Sequence, residues 1–146
     1  ADPGIFQKSL CILTTRRTNA PAAVRLVEHF WRKLGMQTTR MPADRHDALV
    51  ALASHLPQLA VSALMAVQTP QSLAVAGRGL IDTTRLAGSD GELWAGILID
   101  NADAVLAGID RFGQTLAQLR RAIHRRDRTA IIRVFRAAQG ARRALE

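Results

Sequence analysis

The sequence predicts a mainly α protein in which a short β-α-β unit, residues 1–43, precedes an all-helical remainder, residues 44–146. Three observations predict it. Apolar residues step by three and four through most of the chain after Asp44. Two short runs bounded by turn residues, 8–15 and 36–41, lie before Pro42 and read as strands. Asp, Asn, Pro and Gly fall where the helical patterns start and stop.

Residues 8–15 (KSLCILTT) are an apolar run with a β-branched end, lying between Gly4 and the polar Arg16-Arg17-Thr18-Asn19, and read as a buried strand. Asn19 is expected to cap a helix with Pro21 in its first turn. Val24, Val27, Phe30, Trp31 and Leu34 form the apolar face of that helix, and Gly35 ends it. Residues 36–41 (MQTTRM) read as a second strand, closed by Pro42. One such unit leaves its sheet faces and edges uncovered, so it is expected to be the tail of a larger α/β domain. The opening Ala1-Asp2-Pro3-Gly4 has no initiator methionine and no signal-peptide pattern, and reads as the middle of a longer sequence.

Asp44 is expected to cap a helix over residues 45–67, whose apolar positions cover more than half its circumference and bury it on most sides. Pro57 lies inside it. A proline removes a helix hydrogen bond and crowds the preceding turn, so a kink or division is expected near His55. Ser54, His55 and Gln58 sit at that kink and are candidate site residues; a satisfied core histidine is the competing reading of His55. After Thr69-Pro70, residues 72–76 are expected to add a helical turn. A seam of Trp94, Leu98, Asn101, Val105, Ile109, Phe112, Leu116, Leu119 and Ile123 then runs for about four heptads. One unbroken helix over residues 90–124 would be about 50 Å long. That is more than a domain of this size covers, so part of the seam is expected to pack on another subunit. Asp127 restarts a final helix with Ile131, Ile132, Val134, Phe135 and Ala138 as its apolar side.

The turn before the long seam holds the densest chemistry. Residues 79–94 place Asp82, Thr83, Thr84, Arg85 and Trp94 in one short stretch. Ser89 and Glu92 have the spacing of a capping box, with Asp90 and Glu92 at the positive end of the helix dipole. Arg85 falls just outside that helix start, beside a ready anion site. Two readings of it stand: a local ion pair with Asp82 that staples the loop, and a bidentate carboxylate or phosphate clamp oriented by Asp82.

Composition excludes several classes. The formal charge of +8 is nearly all arginine, only Lys8 and Lys33 being lysines, and much of it clusters from Arg120 to Arg143. A basic tail of this kind can bind nucleic acid. Its only aromatic, Phe135, lies in an apolar stripe, so a solvated basic face is the preferred reading. The single cysteine, Cys11, allows no internal disulfide and reads as a buried thiol in a reducing, cytoplasmic setting. Uninterrupted apolar runs fall short of the roughly 20 residues that span a bilayer, so no membrane partner is expected. The four histidines lack metal-ligand spacing, Gly77-Arg78-Gly79 follows no clear strand and is no phosphate loop, and no nucleophile triad is visible.

Three segments, in order and at the right intervals, resemble the C-terminal part of the prephenate dehydrogenase family. Arg45-His46-Asp47 followed by Ser54-His55-Leu56-Pro57 is similar to its H-D then S-H-L-P-H signature. Gly79-Leu80-Ile81-Asp82-Thr83-Thr84-Arg85 is similar to its G-F-x-D-T-T-R segment, and Ser89-Asp90-Gly91-Glu92-Leu93-Trp94 to its S-D-P-E-L-W. The resemblance runs over essentially the whole chain. It implies that residues 1–43 are the remnant of a dinucleotide-binding domain and residues 44–146 a helical substrate-binding and dimerisation domain. It also implies a homodimer and an active site shared between two domains.

The implied reaction is NAD- or NADP-dependent oxidative decarboxylation of prephenate, or of its amino analogue arogenate, on the route to tyrosine. The substrate carries carboxylates and a ring hydroxyl, so the resemblance assigns Arg85 as the anion clamp and Asp82 as its support. It assigns His55 as a hydrogen-bond partner, Trp94 as a wall, and Ser54 and Gly79 as further substrate-binding positions. The family's base histidine and G-x-G-x-x-G fingerprint are not in this chain, so no catalytic or cofactor-binding residue is assigned and the chain alone is expected to be inactive. Gln58 stands where the family commonly has a second histidine, and Arg78 adds a cation, which leaves the choice between prephenate and arogenate open. The alternative is a stand-alone helical dimer that has kept a small-molecule pocket as a sensor or interaction module.

Overall fold

The computed structural model describes residues 4–145, so the opening Ala1-Asp2-Pro3 lies outside the described residues. Strand β1 (Leu10–Thr14), helix α1 (Pro21–Lys33) and strand β2 (Gln37–Met41) form the expected unit. The two strands pair in parallel, with Leu10 opposite Gln37 and Thr14 opposite Met41. A parallel pair needs a crossover, and α1 supplies it. Gly35 ends α1 at φ +89°, where its N–H bonds the Arg32 carbonyl and the next N–H reaches back to Trp31, a Schellman closure. Arg40 on β2 fastens α1 with a fork to Glu28, its Nε donating to Oε1 at 2.6 Å. The expected cap of α1 differs: Asn19 Oδ1 accepts from Arg16 N–H at 2.6 Å instead, and Ala20 occupies the cap position.

The rest is helical. Helix α2 (Ala43–Val50), a π-helical turn (Ala51–His55) and α3 (Leu56–Ala66) run on as one helix of 24 residues. Pro42, not Asp44, holds its cap position, and Asp44 lies in the first turn near the positive end of the dipole. The expectation about apolar length also needs correction. By length and composition this helix, at mean hydropathy 1.6, is long and apolar enough to cross a membrane, and only 11% of its apolar stretch is buried within the chain. It is expected to be buried on most sides from its pattern, and within this chain it is not.

Short helices α4 (Pro70–Ala74) and α5 (Arg78–Thr83) follow, then a 3-10 turn (Arg85–Gly88). Thr69 and Ser72 cap α4 reciprocally, a capping box absent from the sequence reading. The long seam is two helices, α6 (Gly91–Asp100) and α7 (Ala102–His124), broken at Asn101 with φ −115° and ψ 32°. The expected continuous rod over residues 90–124 is therefore corrected. Helix α8 (Arg128–Arg143) begins where Asp127 accepts from Ala130 N–H at 2.9 Å, as expected.

Burial within the chain is sparse. Ala51, Val105 and Ala122 are the buried apolar residues among those described, and no large side chain is fully buried. The exposed surface is 11,644 Å², whereas a compact monomer of this mass exposes about 7,400 Å². The seam accounts for part of the excess, with Phe112, Leu116 and Ile123 exposed at 39%, 50% and 64%.

Candidate functional site

The site grows from the irregular turn of the central helix. Pro57 has no N–H to give, and its ring crowds the carbonyl one turn earlier. The helix answers by widening: Leu56 N–H bonds the Ala51 carbonyl, a π-type bond, so where a kink or division is expected near His55 the helix carries a wide turn and is not divided. His55 is the last residue of that wide turn and half-buried. Its ring packs edge-to-face with that of Trp94, which α6 carries, with centroids 6.1 Å apart and planes at 79°.

Asn101 completes the cluster from the break between α6 and α7. Its side chain caps neither helix. Nδ2 lies 2.9 Å from the Asp47 carbonyl and 3.2 Å from His55 Nδ1, so one amide ties the helix break to the central helix. Asparagine competes with backbone for hydrogen bonds and tolerates non-helical torsions, which is why the seam breaks here. Spacing alone places Asn101 in the apolar seam. The signal that marks it is the polar amide at a core-facing position.

Arg85 opens the 3-10 turn rather than an extended loop. That turn is fixed to α3 by Gln58, 5% exposed, whose Nε2 donates to the Leu86 carbonyl at 2.8 Å. Ser89 was expected to cap α6; instead its hydroxyl donates to the Leu86 carbonyl at 2.7 Å, and Asp90 caps α6 by accepting from Leu93 N–H at 2.8 Å. The expected Asp82–Arg85 staple does not form. Both residues are exposed, and among the described residues the Arg85 guanidinium makes no ion pair or hydrogen bond. Ser54 is exposed beside His55, and Gly79 lies in α5, where an added Cβ would meet nothing within 4 Å. The structure thus joins His55 to Trp94 and Asn101, ties the Arg85 turn to the same helix, and leaves Asp82, Ser54 and Gly79 at the surface.

A crevice of about 270 Å³ at the carboxyl end of β1, lined by Leu13, Thr14, Asn19 and Val24 among others, shares no residue with this cluster. The turn it borders, Thr15-Arg16-Arg17-Thr18-Asn19-Ala20, has no glycine to let backbone approach a pyrophosphate, so the residues of this crevice do not fit a dinucleotide.

The fold is a helical array that follows a parallel β-α-β unit. Residues 42–137 match the family described as "Prephenate dehydrogenase, dimerization domain", and the chain belongs to that family. Over 97% of its length it is 33% identical to the cyclohexadienyl dehydrogenase of Zymomonas mobilis subsp. mobilis, of which it covers 51%. It is 26% identical to the prephenate dehydrogenase of Bacillus subtilis, of which it covers 40%. Among solved structures, the prephenate dehydrogenase from A. aeolicus in complex with hydroxyphenyl propionate and NAD+ is similar with a TM-score of 0.85 at 26% identity, over 94% of this chain and 50% of that one. The Synechocystis arogenate dehydrogenase shares the fold, with a TM-score of 0.87 at 24% identity over 98% of this chain and 54% of that one. The chain spans about half the length of the curated relatives it matches.

Proposed function

We propose that the chain is the C-terminal half of an NAD- or NADP-dependent prephenate dehydrogenase acting in the cytoplasm on prephenate or arogenate. In this reading residues 1–43 close the dinucleotide-binding domain, and residues 44–146 supply dimerisation and one side of the substrate site. The observation that carries it is Arg85: an exposed guanidinium, unpaired among the described residues, on a turn that Gln58 ties to the helix presenting His55 against Trp94.

The chemistry of the substrate class fits these groups. A carboxylate needs a fixed cation, and a guanidinium fork matches it in two parallel hydrogen bonds. His55 offers a ring nitrogen to a substrate oxygen, and Trp94 offers a flat wall to the substrate ring. Asp82, Ser54 and Gly79 are the proposed rim of the same site. The nicotinamide cofactor, supplied by the other half of the protein, would accept the hydride; no residue here is given a part in that transfer.

A second copy of this chain is the proposed partner. The chain exposes about 4,000 Å² more than a compact monomer of its mass. That exceeds one subunit's share of even a large obligate interface, leaving area for a further domain as well.

Calorimetric titration of the chain with prephenate, 4-hydroxyphenylpyruvate and tyrosine, alongside Arg85→Ala, tests the reading. Binding by the parent that disappears in Arg85→Ala is the expected result. Binding that persists undiminished in Arg85→Ala would overturn the clamp. No binding by the parent would withdraw the claim that this half holds ligand without the other and leave dimerisation as its role.

A further inference from the structure

We propose that Asn101 is a positioning residue that holds His55 in its Nε2–H tautomer, so that His55 meets a substrate oxygen as a hydrogen-bond donor and not as a base. This rests on the reading of His55 as a substrate partner.

The orientation of the Asn101 amide is decided by its surroundings, because the two ends of an amide are told apart by the network they join. One end lies 2.9 Å from the Asp47 carbonyl oxygen. An amide oxygen there would face another oxygen with no proton between them, so that end is the NH2 group. The same nitrogen is 3.2 Å from His55 Nδ1. Its first N–H is taken by Asp47, and its second has His55 Nδ1 as acceptor. An accepting Nδ1 carries a lone pair, and in the neutral ring the proton then sits on Nε2.

Among the described residues Nε2 has no hydrogen-bond partner, so the N–H is free for a ligand. Its acceptor would be a carboxylate, carbonyl or hydroxyl oxygen. While Asn101 holds Nδ1, neutral His55 has no lone pair left with which to take a substrate proton.

Two irregularities in separate helices are needed for this contact. The wide turn Ala51–His55 sets the ring, and the break at Asn101 sets the amide. Neither serves capping, since the Asn101 side chain caps no helix end and the wide turn continues straight into α3. Wide turns inside α-helices recur at functional sites, and a second group that fixes a histidine tautomer is a known way of setting its role.

The test is the tautomer itself, read from long-range 1H–15N correlation spectra of the uniformly 15N-labelled chain at a pH where His55 is neutral, with His55→Gln to assign the peaks. The parent is expected to show a pyridine-like Nδ1 and a pyrrole-like Nε2. Asn101→Asp replaces the donor by an acceptor and is expected to invert the pattern; Asn101→Ala is expected to give a mixture. An Nδ1–H or mixed pattern in the parent would overturn the proposal, as would an unchanged pattern in whichever variant circular dichroism shows to be folded. Titration with 4-hydroxyphenylpyruvate on the same samples separates the two readings. The expected tautomer without ligand binding removes the substrate role of His55 alone, and the opposite tautomer with intact binding removes the Asn101 proposal alone.

Discussion

Gln58 Nε2 donates to the carbonyl oxygen of Leu86 at 2.8 Å, and through that bond the turn opened by Arg85 is held to the helix that carries His55. The Leu86 carbonyl also accepts from the Ser89 hydroxyl and N–H, so removing Gln58 lowers the turn's stability without leaving the carbonyl bare. Gln58→Leu is expected to cost about 1 kcal/mol, the net worth of a buried hydrogen bond, and to weaken any binding that depends on Arg85. Thermal denaturation and ligand titration measure the two effects. A variant that melts and binds like the parent would mean that Gln58 does not hold the Arg85 turn.

The exposed seam predicts an assembly. Leu116 lies on α7 with Leu106 and Ile123, all exposed in the single chain. Burying an unpaired carboxylate in an apolar interface is unfavourable, so Leu116→Glu is expected to reduce the sedimenting species from about twice 15.9 kDa to 15.9 kDa. A parent chain that sediments at the smaller mass at every concentration would remove the homodimer.

The crossover unit predicts a pH dependence. The hydrogen bond from Arg40 holds the Glu28 carboxyl below its ordinary value of 4.5, against the opposing pull of desolvation. A folded-state value below the unfolded one stabilises fully above about pH 4.5, and that contribution is lost as pH falls through the depressed value. Glu28→Gln is therefore expected to be less stable than the parent near neutral pH and to converge on it in acid. Urea unfolding at about pH 7 and about pH 3 checks this; a gap that stays constant between them would assign the effect to packing instead.

The turn between α7 and α8 predicts a stabilising change. Arg126 sits at φ +54°, with Asp127 N–H reaching the Ala122 carbonyl and Arg126 N–H the Ile123 carbonyl, the Schellman closure that Gly35 provides for α1. A side chain in the left-handed region costs roughly 1–2 kcal/mol, and glycine returns part of that to unfolded-chain entropy. Arg126→Gly is expected to raise the urea midpoint by the equivalent of roughly 0.5–1 kcal/mol. A lowered midpoint would show that the Arg126 side chain makes up for its backbone strain.

Much of this was legible because it depends on near neighbours in the chain. Strand, helix and strand before Pro42, the glycine stop at Gly35, the cap at Asp127 and the anomaly before Pro57 follow from local torsions and local donors. The three motifs that carry the family resemblance are local as well, and they single out His55, Arg85 and Trp94 as candidates. Local rules also misled where several groups compete for one partner. Ser89 had the spacing of a cap, yet its hydroxyl turned back to the Leu86 carbonyl and left the cap to Asp90.

By itself the sequence determined the strand-helix-strand opening and the helical character of the remainder, because helix period, proline geometry and capping act within a few residues. Only the tertiary structure decided that the seam breaks at Asn101, that this amide meets Asp47 and His55, and that Gln58 rather than Asp82 anchors the Arg85 turn. Those contacts join residues far apart in the chain, and their geometry exists only once helices have packed. No periodicity encodes which of several polar groups on a helix will find its partner across the gap.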